Sequence, residues 1–244
     1  MNSENVQSVP ATDQQSGVSQ DIEDFIYLIS HDVRASVRAL LELPHWIEED
    51  LEEAGVKVEG SVAASIELMN RHTGRLDRML VDLLTFSRIG RMQELRINHL
   101  HDVLDQVLEE IQVPAGFAVI RNLDCDRVEM GDRDVLTLFD SLIRNVLKHH
   151  DKPSGQIVIS SAQQGGKMRL SVADDGPGIP PEYRENVFGA MRTLRPRDEV
   201  EGSGMGLANV RKIAALYGGA ADIRDSPYGR GILVEVTIPS NESD

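Results

Sequence analysis

Apolar residues in the first part of the chain recur with helical spacing. They stand at Ile22, Ile26, Ile29 and Val33 and, after Ser36, at Leu40, Leu43 and Ile47. This alternation of fours and threes keeps them on one face of a helix. The spacing returns at Val62, Ile66, Met69, Thr73, Leu76, Leu80 and Leu83, and the turn-rich "EEAGVKVEGS" between the two runs predicts an antiparallel hairpin. Two helices alone bury too little, so the pattern predicts a homodimeric four-helix bundle unless the hairpin packs on the chain's own second half. Residues 1–20 carry Ser, Gln, Asn and Pro without apolar periodicity. That is the composition of a flexible tail, not of a sensor domain.

Beyond residue 90 the pattern changes. "VLDQVLEEI" and "DVLTLFDSLIRNVLKHH" read as helices, and "RVEMGD" as a strand and turn. "QIVISSA" and "KMRLSVAD", joined through Gln163, Gln164, Gly165 and Gly166, read as a β-hairpin; "AADIRD" and "GILVEVTIP" form another across "SPYGRG". The predicted architecture is α+β, a mixed sheet with helices on one face. The organisation is a tail over 1–20, a helical hairpin over 21–90 and a sheet domain over 91–240.

Composition narrows the setting. Net charge is −15, which repels nucleic acid and anionic membranes, so neither is an expected partner and any polyanionic ligand needs a local site. No run of about 18 apolar residues occurs and the N-terminal residues lack the layout of a secretion signal, so the expected location is cytoplasmic. Cys125 is the single cysteine; it reads as a small buried hydrophobe with no assigned role.

Candidate chemistry sits at four places. His31, in "FIYLISHDVRAS", lies about 200° around the helix from both Ile29 and Val33, so it points into water. Asp32 follows it, and a carboxylate beside an imidazole can orient the ring and accept its second proton, which leaves room for a phosphoacceptor as well as for an ordinary solvated histidine. Asn145, Lys148 and His149 share one helix. An amide oxygen and an ammonium three residues apart can serve Mg²⁺ and phosphate. Asp174, with Gly176 and Gly178 in "DDGPGIP", offers an acceptor for an exocyclic amine such as that of adenine, with glycines that let a ligand lie against the backbone. Gly202, Gly204, Gly206 and Leu207 in "GSGMGL" open a helix, where free N–H groups and the positive helix end favour a polyphosphate.

Taken in this order, the motifs over about residues 21–240 resemble the transmitter core of a sensor histidine kinase. "SHDVRAS" is similar to the H box, with His31 as the phosphorylated residue. "LIRNVLKHH" resembles the N box, with Asn145 as Mg²⁺ ligand and Lys148 as phosphate contact. "DDGPGI" resembles the G1 box with Asp174 as adenine reader, "VFGAM" the F box at Phe188, and "GSGMGLA" the G2 box. The wording of "DLLTFSRIGR" and "LRPRDEVEGSGMGLA" is similar to kinases of the phytochrome-like branch. The resemblance implies a dimeric helical hairpin followed by a Bergerat-type ATP-binding α/β sandwich. It also implies autophosphorylation of His31 from ATP with Mg²⁺, Asp32 as general base, and a phosphorelay step to an aspartate of a response regulator receiver domain. Residues 189–201 would form a lid, with Arg192, Arg195 and Arg197 as charge-neutralising helpers or as solvated lid charges. A separate sensor or input protein would supply the signal.

Departures from the family pattern qualify this reading. Ser36 stands where the family usually has proline, while Pro44 lies further on inside the apolar pattern, where an interior proline costs about 3 kcal/mol and kinks a helix. Ala35 stands four residues after His31, where strong phosphatases of the family carry Thr or Asn. Ser141 stands four residues before Asn145, where ATP-hydrolysing relatives carry a glutamate base. Met191 replaces the second aromatic of the F box. The alternatives are a histidine phosphotransfer protein, against which the G1 and G2 glycines argue; an anti-sigma kinase acting on serine, which would lack the hairpin and H box; and a binding-only scaffold.

Overall fold

A computed structural model of the chain describes the backbone of residues 12–91, 93–194 and 202–240, and side chains from Ile26 onward. It divides into two compact units, Met1–Ser87 and Arg88–Asp244, a boundary three residues ahead of the expected one.

The first unit holds two helices, α1 (Thr12–Glu53) and α2 (Gly60–Arg88). Helix α1 begins inside the stretch read as a flexible tail. That correction has a local reason: "DQQ" and "SQD" contain good or tolerable helix formers, and a helix already nucleated downstream extends at low cost through such residues. On α1 the hairpin closes on a face different from the one the spacing singled out, whereas on α2 Ile66 and Leu80 of the predicted seam are buried. Buried positions on α1 are Ser30, Val37 and Pro44, seven residues apart, with Ile26, Arg34, Leu41 and Glu48 half-buried around them. On α2 they are Ile66, Leu80, Leu84 and Ser87. Arg34 Nε donates to Asp77 Oδ1 across the pair at 3.4 Å. The predicted α1 seam of Ile29, Val33, Leu40, Leu43 and Ile47 stays substantially exposed, as do Val62, Met69 and Leu76 of α2. Pro44 lies within the unbroken run of α1. It points inward, where its missing N–H removes one helical hydrogen bond.

The second unit runs β1 (Leu95–His99), α3 (Leu100–Ile111), β2 (Phe117–Leu123), β3 (Arg127–Gly131), α4 (Asp132–His149), β4 (Gly155–Gln164), β5 (Lys167–Asp174), α5 (Gly206–Leu216), β6 (Ala220–Asp225) and β7 (Ile232–Pro239). Short 3₁₀ turns at Pro181–Tyr183 and Asn186–Phe188 precede α5. Strands β2, β4, β5, β7 and β6 form one sheet in that order, and β1 pairs with β3 in a small separate ladder. The large sheet is mixed, because β2 runs parallel to β4 while every other pair is antiparallel. Gly165 and Gly166, both at positive φ, make the two-residue turn between β4 and β5, the twist-matched connection that only glycine adopts without strain.

Alternation along the strands sends Ile157, Ile159, Leu170, Val172, Val234 and Val236 into a dry core, which Leu138, Phe139, Leu142 and Ile143 of α4 and Val210 and Ile213 of α5 complete. Glu235 lies on the opposite face, buried beneath Arg169 and Arg224, with which it pairs. This one-sided covering is the expected α+β layer. Strands β1 and β2 are the elements the pattern did not reveal. Cys125 is half-buried, its Sγ directed at the Arg127 carbonyl.

Candidate nucleotide site and phosphoacceptor helix

The second unit gathers its candidate residues from three chain segments. Asp174 ends β5, and its side chain is buried. Its Oδ1 accepts two backbone hydrogen bonds, from Gly176 N–H at 2.8 Å and Ile232 N–H at 3.3 Å. Both fall on one oxygen, so Oδ2 takes part in neither. Burial pushes this carboxyl above its ordinary range, against the pull of those two N–H groups. Gly231, a residue the sequence reading missed, packs directly on it: a Cβ there would lie 2.2 Å from the Asp174 carbonyl and 2.4 Å from Oδ1. The signal was present in "YGRG" but reads as a hairpin turn until the fold brings that turn to the end of β5.

Asp175 and His150 were also missed. His150 Nε2 meets Asp175 Oδ1 at 3.1 Å, and the same oxygen accepts the Gln156 N–H at 2.7 Å. Burial pushes the Asp175 carboxyl up, but those hydrogen bonds outweigh it and hold the group below the usual aspartate range.

Helix α4 brings Asn145, Lys148 and His149 to its last two turns. The 1,4 and 1,5 spacing puts Ser141, Asn145, Lys148 and His149 along one side. Ser141 lies against the start of α5, since a Cβ on Gly206 would be 3.7 Å from its carbonyl oxygen. Lys148 reaches the glycine-rich loop itself, because a Cβ on Gly202 would stand 1.8 Å from Lys148 Nζ. Gly204 is equally constrained. Its φ is +77° and a Cβ would meet the Arg192 carbonyl at 2.5 Å, so both conformation and space exclude a side chain.

The loop then enters α5 with no side-chain cap: Met205 occupies the N-cap position and offers no hydrogen bond to the first turn, while Ser203 Oγ accepts the Met205 N–H at 3.2 Å. A helix start without a capping side chain leaves its N–H groups for an external anion. Leu207 anchors that turn by burying its side chain. Gly178, at φ +82°, packs towards the Gly231 carbonyl.

Of the lid, Arg192 is described and exposed; Arg195 and Arg197 lie outside the described residues. Phe188 is buried under Arg211 of α5, whose guanidinium carbon sits 4.3 Å from the ring centroid and whose Nη1 pairs with Glu185 at 2.7 Å. Met191 adopts φ +59°, uncommon for a residue with a side chain.

In the first unit, His31 stands exposed on α1 as the spacing predicts. Its Nδ1 lies 3.2 Å from Asp32 Oδ1, and its ring stacks at 6.5 Å on Tyr27 one turn earlier. An ionised carboxylate only accepts, so this contact places a proton on Nδ1 and the lone pair on Nε2. Ala35, one turn beyond, is exposed.

Among the described residues no helix is long and apolar enough to cross a membrane, and no cluster of three His, Cys, Asp or Glu could hold a metal ion.

Comparison with known proteins agrees with this layout. The family model for histidine kinase-, DNA gyrase B- and HSP90-like ATPases matches residues 131–242. The methanogenesis regulatory histidine kinase FilI of Methanothrix harundinacea is 30% identical over 227 residues, 90% of this chain and 25% of that protein. Cyanobacterial phytochrome B of Nostoc is 28% identical over 90% of this chain and 30% of its own length. For the histidine kinase AfsQ2 of Streptomyces coelicolor the values are 28%, 93% and 44%. The chain thus spans less than half the length of these relatives. Among solved structures, full-length ShkA in complex with AMPPNP superposes with a TM-score of 0.65 at 23% identity, covering 88% of this chain and 45% of that one. ThkA in complex with the response regulator TrrA superposes at 0.61 and 18%, covering 96% and 68%. These two share the fold. The matches to the kinases run through the helical hairpin as well as the ATPase region: residues 131–242 belong to the histidine kinase-, DNA gyrase B- and HSP90-like ATPases, and the chain as a whole is similar to the transmitter core of the sensor histidine kinases.

Proposed function

We propose that this chain is the catalytic core of a two-component histidine kinase: it phosphorylates His31 from ATP and passes the phosphoryl group to an aspartate of a response regulator receiver domain. The observation that carries the reading is Lys148 Nζ set against a glycine loop with no room for side chains, in the same unit as the buried acceptor Asp174. Asp174 Oδ2 accepts from the adenine amine, which selects the base. Lys148 Nζ, beside Gly202, meets the phosphates, and the uncapped start of α5 at Gly206 and Leu207 donates backbone N–H groups to them. His149 closes the same end of α4.

A Mg²⁺ ion fits this donor set, with Asn145 as protein ligand and the remaining oxygens coming from the polyphosphate, in keeping with the lack of a carboxylate cluster among the described residues. When bound it supplies charge neutralisation across the phosphates.

At the acceptor, Asp32 holds the Nδ1 proton of His31, so Nε2 presents its lone pair. Attack on the γ-phosphorus forms the Nε2–P bond and breaks the bond to the bridging oxygen, and ADP leaves. The Nδ1 proton passes toward Asp32, which prevents a full positive charge on the ring. In the next step the N–P bond breaks as a receiver carboxylate takes the phosphoryl group. Such loose transition states respond mainly to positioning and electrostatics.

The half-exposed apolar stripe on α1 and α2 supports a homodimer in which two hairpins form the four-helix bundle. Incubation with γ-labelled ATP tests the kinase reading. The label should be acid-labile and base-stable, and absent from His31→Gln, which should still bind nucleotide. Acid-stable label, or label on the His31→Gln variant, would refute it.

A further inference from the structure

His150 lies just past α4, and nothing in the mechanism above uses it. Its side chain is 1% exposed, an unusual burial for an imidazole unless both nitrogens are engaged. Both are. Asp175 can only accept, so Nε2 carries the proton toward its Oδ1 at 3.1 Å. Nδ1 then accepts the Lys152 N–H at 3.1 Å. The ring meets Phe117 edge to face at 5.0 Å between centroids. It also fills the space under the turn that follows Asp174: a Cβ on Gly176 would lie 3.3 Å from His150 Cδ2, and one on Gly155 would lie 2.6 Å from Nε2. The imidazole therefore joins the end of the helix bearing Asn145 and Lys148 to the backbone that presents Asp174.

We propose that His150 is a positioning residue for base recognition, acting through Asp175 to hold the Asp174–Gly176 turn so that Asp174 faces the exocyclic amine of the purine. The inference rests on the nucleotide reading given above. It assigns His150 a role in choosing adenine over guanine, which a residue serving only to fill space would not have.

The test is the ratio of ATP to GTP affinity, measured on the full chain by competition with a fluorescent nucleotide, alongside KM and kcat for autophosphorylation and a thermal melt. Two variants separate the two nitrogens. The amide nitrogen of Gln reaches about as far as Nε2, so His150→Gln keeps the donor to Asp175. The shorter amide of Asn reaches only as far as Nδ1, so His150→Asn keeps the Lys152 contact and loses Asp175. His150→Asn should weaken ATP about tenfold, the scale of one hydrogen bond to a carboxylate. GTP should be unchanged, and the loss should appear in KM rather than kcat. His150→Gln should stay within about threefold of the parent ratio. An unchanged ratio in His150→Asn, or an equal loss of ATP and GTP in both variants, overturns the proposal. Asp174→Asn distinguishes the two layers of the argument. If it collapses the ratio while His150→Asn does not, only the role of His150 fails. If it leaves the ratio intact, the adenine reading of Asp174 fails and this inference falls with it.

Discussion

Leu40→Glu should convert a dimer into a monomer, and the structure sets the scale of the effect. Ile29, Val33, Leu40, Leu43, Ile47, Val62, Met69 and Leu76 are each between 39% and 46% exposed in the single chain. Fully burying such a side chain is worth about 1.5–3 kcal/mol, so the remaining two-fifths is worth roughly 0.6–1.2 kcal/mol. Eight residues on each of two copies then contribute about 10–20 kcal/mol gross. Association costs on the order of 4–15 kcal/mol, so the upper part of the gross range exceeds a mid-range cost by the roughly 8 kcal/mol that a micromolar dimer requires. A carboxylate at position 40 removes about 1 kcal/mol of apolar burial per copy and adds a desolvation cost of several kcal/mol per ion. The dissociation constant should therefore rise by at least about a thousandfold.

Sedimentation or light scattering of the full chain at tens of micromolar, an order-of-magnitude choice suited to that affinity, reads the result directly. Val37→Ala supplies the contrast. Val37 is buried within its own hairpin at 2% exposure, so its truncation should lower the melting temperature and leave the dimer intact. A monomeric parent protein, or a Leu40→Glu variant that dimerises as tightly as the parent, would refute the reasoning.

Asp174→Asn should abolish measurable ATP binding by calorimetry yet melt at or above the parent at pH 7 without nucleotide. Burial raises the native pKa above the ordinary value of 3.8, so the charge weakens the fold at neutral pH. That cost disappears as pH falls through the raised native value, so the gap in melting temperature should narrow on acidification. A variant that melts far below the parent would overturn this. Gly231→Ala should weaken ATP at least tenfold, because its Cβ would meet Asp174 Oδ1 at 2.4 Å from a backbone at φ +92°; parent-like affinity would show that the turn yields freely. Finally, no side chain at Ala35 can hold a water one turn from His31, and Ser141 offers no carboxylate base. Adding this protein and ADP to phosphorylated partner regulator should therefore not speed loss of phosphate, and a several-fold acceleration would contradict that.

The residues that chemistry needs were more legible than the face on which the hairpin closes, and the reason is physical. Glycines 202 and 204 stand out because backbone conformation and close approach each forbid any other residue, so a local spacing carries nearly all the information. The apolar pattern of α1 is more ambiguous. It carries two stripes, one at Ser30, Val37 and Pro44 and one at Ile29, Val33, Leu40, Leu43 and Ile47, and the second is the more hydrophobic. Periodicity ranks stripes by apolarity, so it selected the one the single chain leaves uncovered.

The hidden stripe contains a serine and a proline, which a hydrophobicity count discards. Ser30 sits there because small side chains let two helices approach, and Pro44 because a ring without an N–H still packs. The same limit explains His150, Asp175 and Gly231. Each looks ordinary in its own segment. Their significance comes from β5 ending where the β6–β7 turn and the exit of α4 meet, a juxtaposition made by sheet order β4-β5-β7 and not by any local spacing. A sequence motif marks groups that touch a ligand through their own backbone or charge. The groups that hold those in place are recorded in topology: His150 and Asp175 lie inside two of the boxes, yet only the fold brings them, with Gly231, to the turn after Asp174.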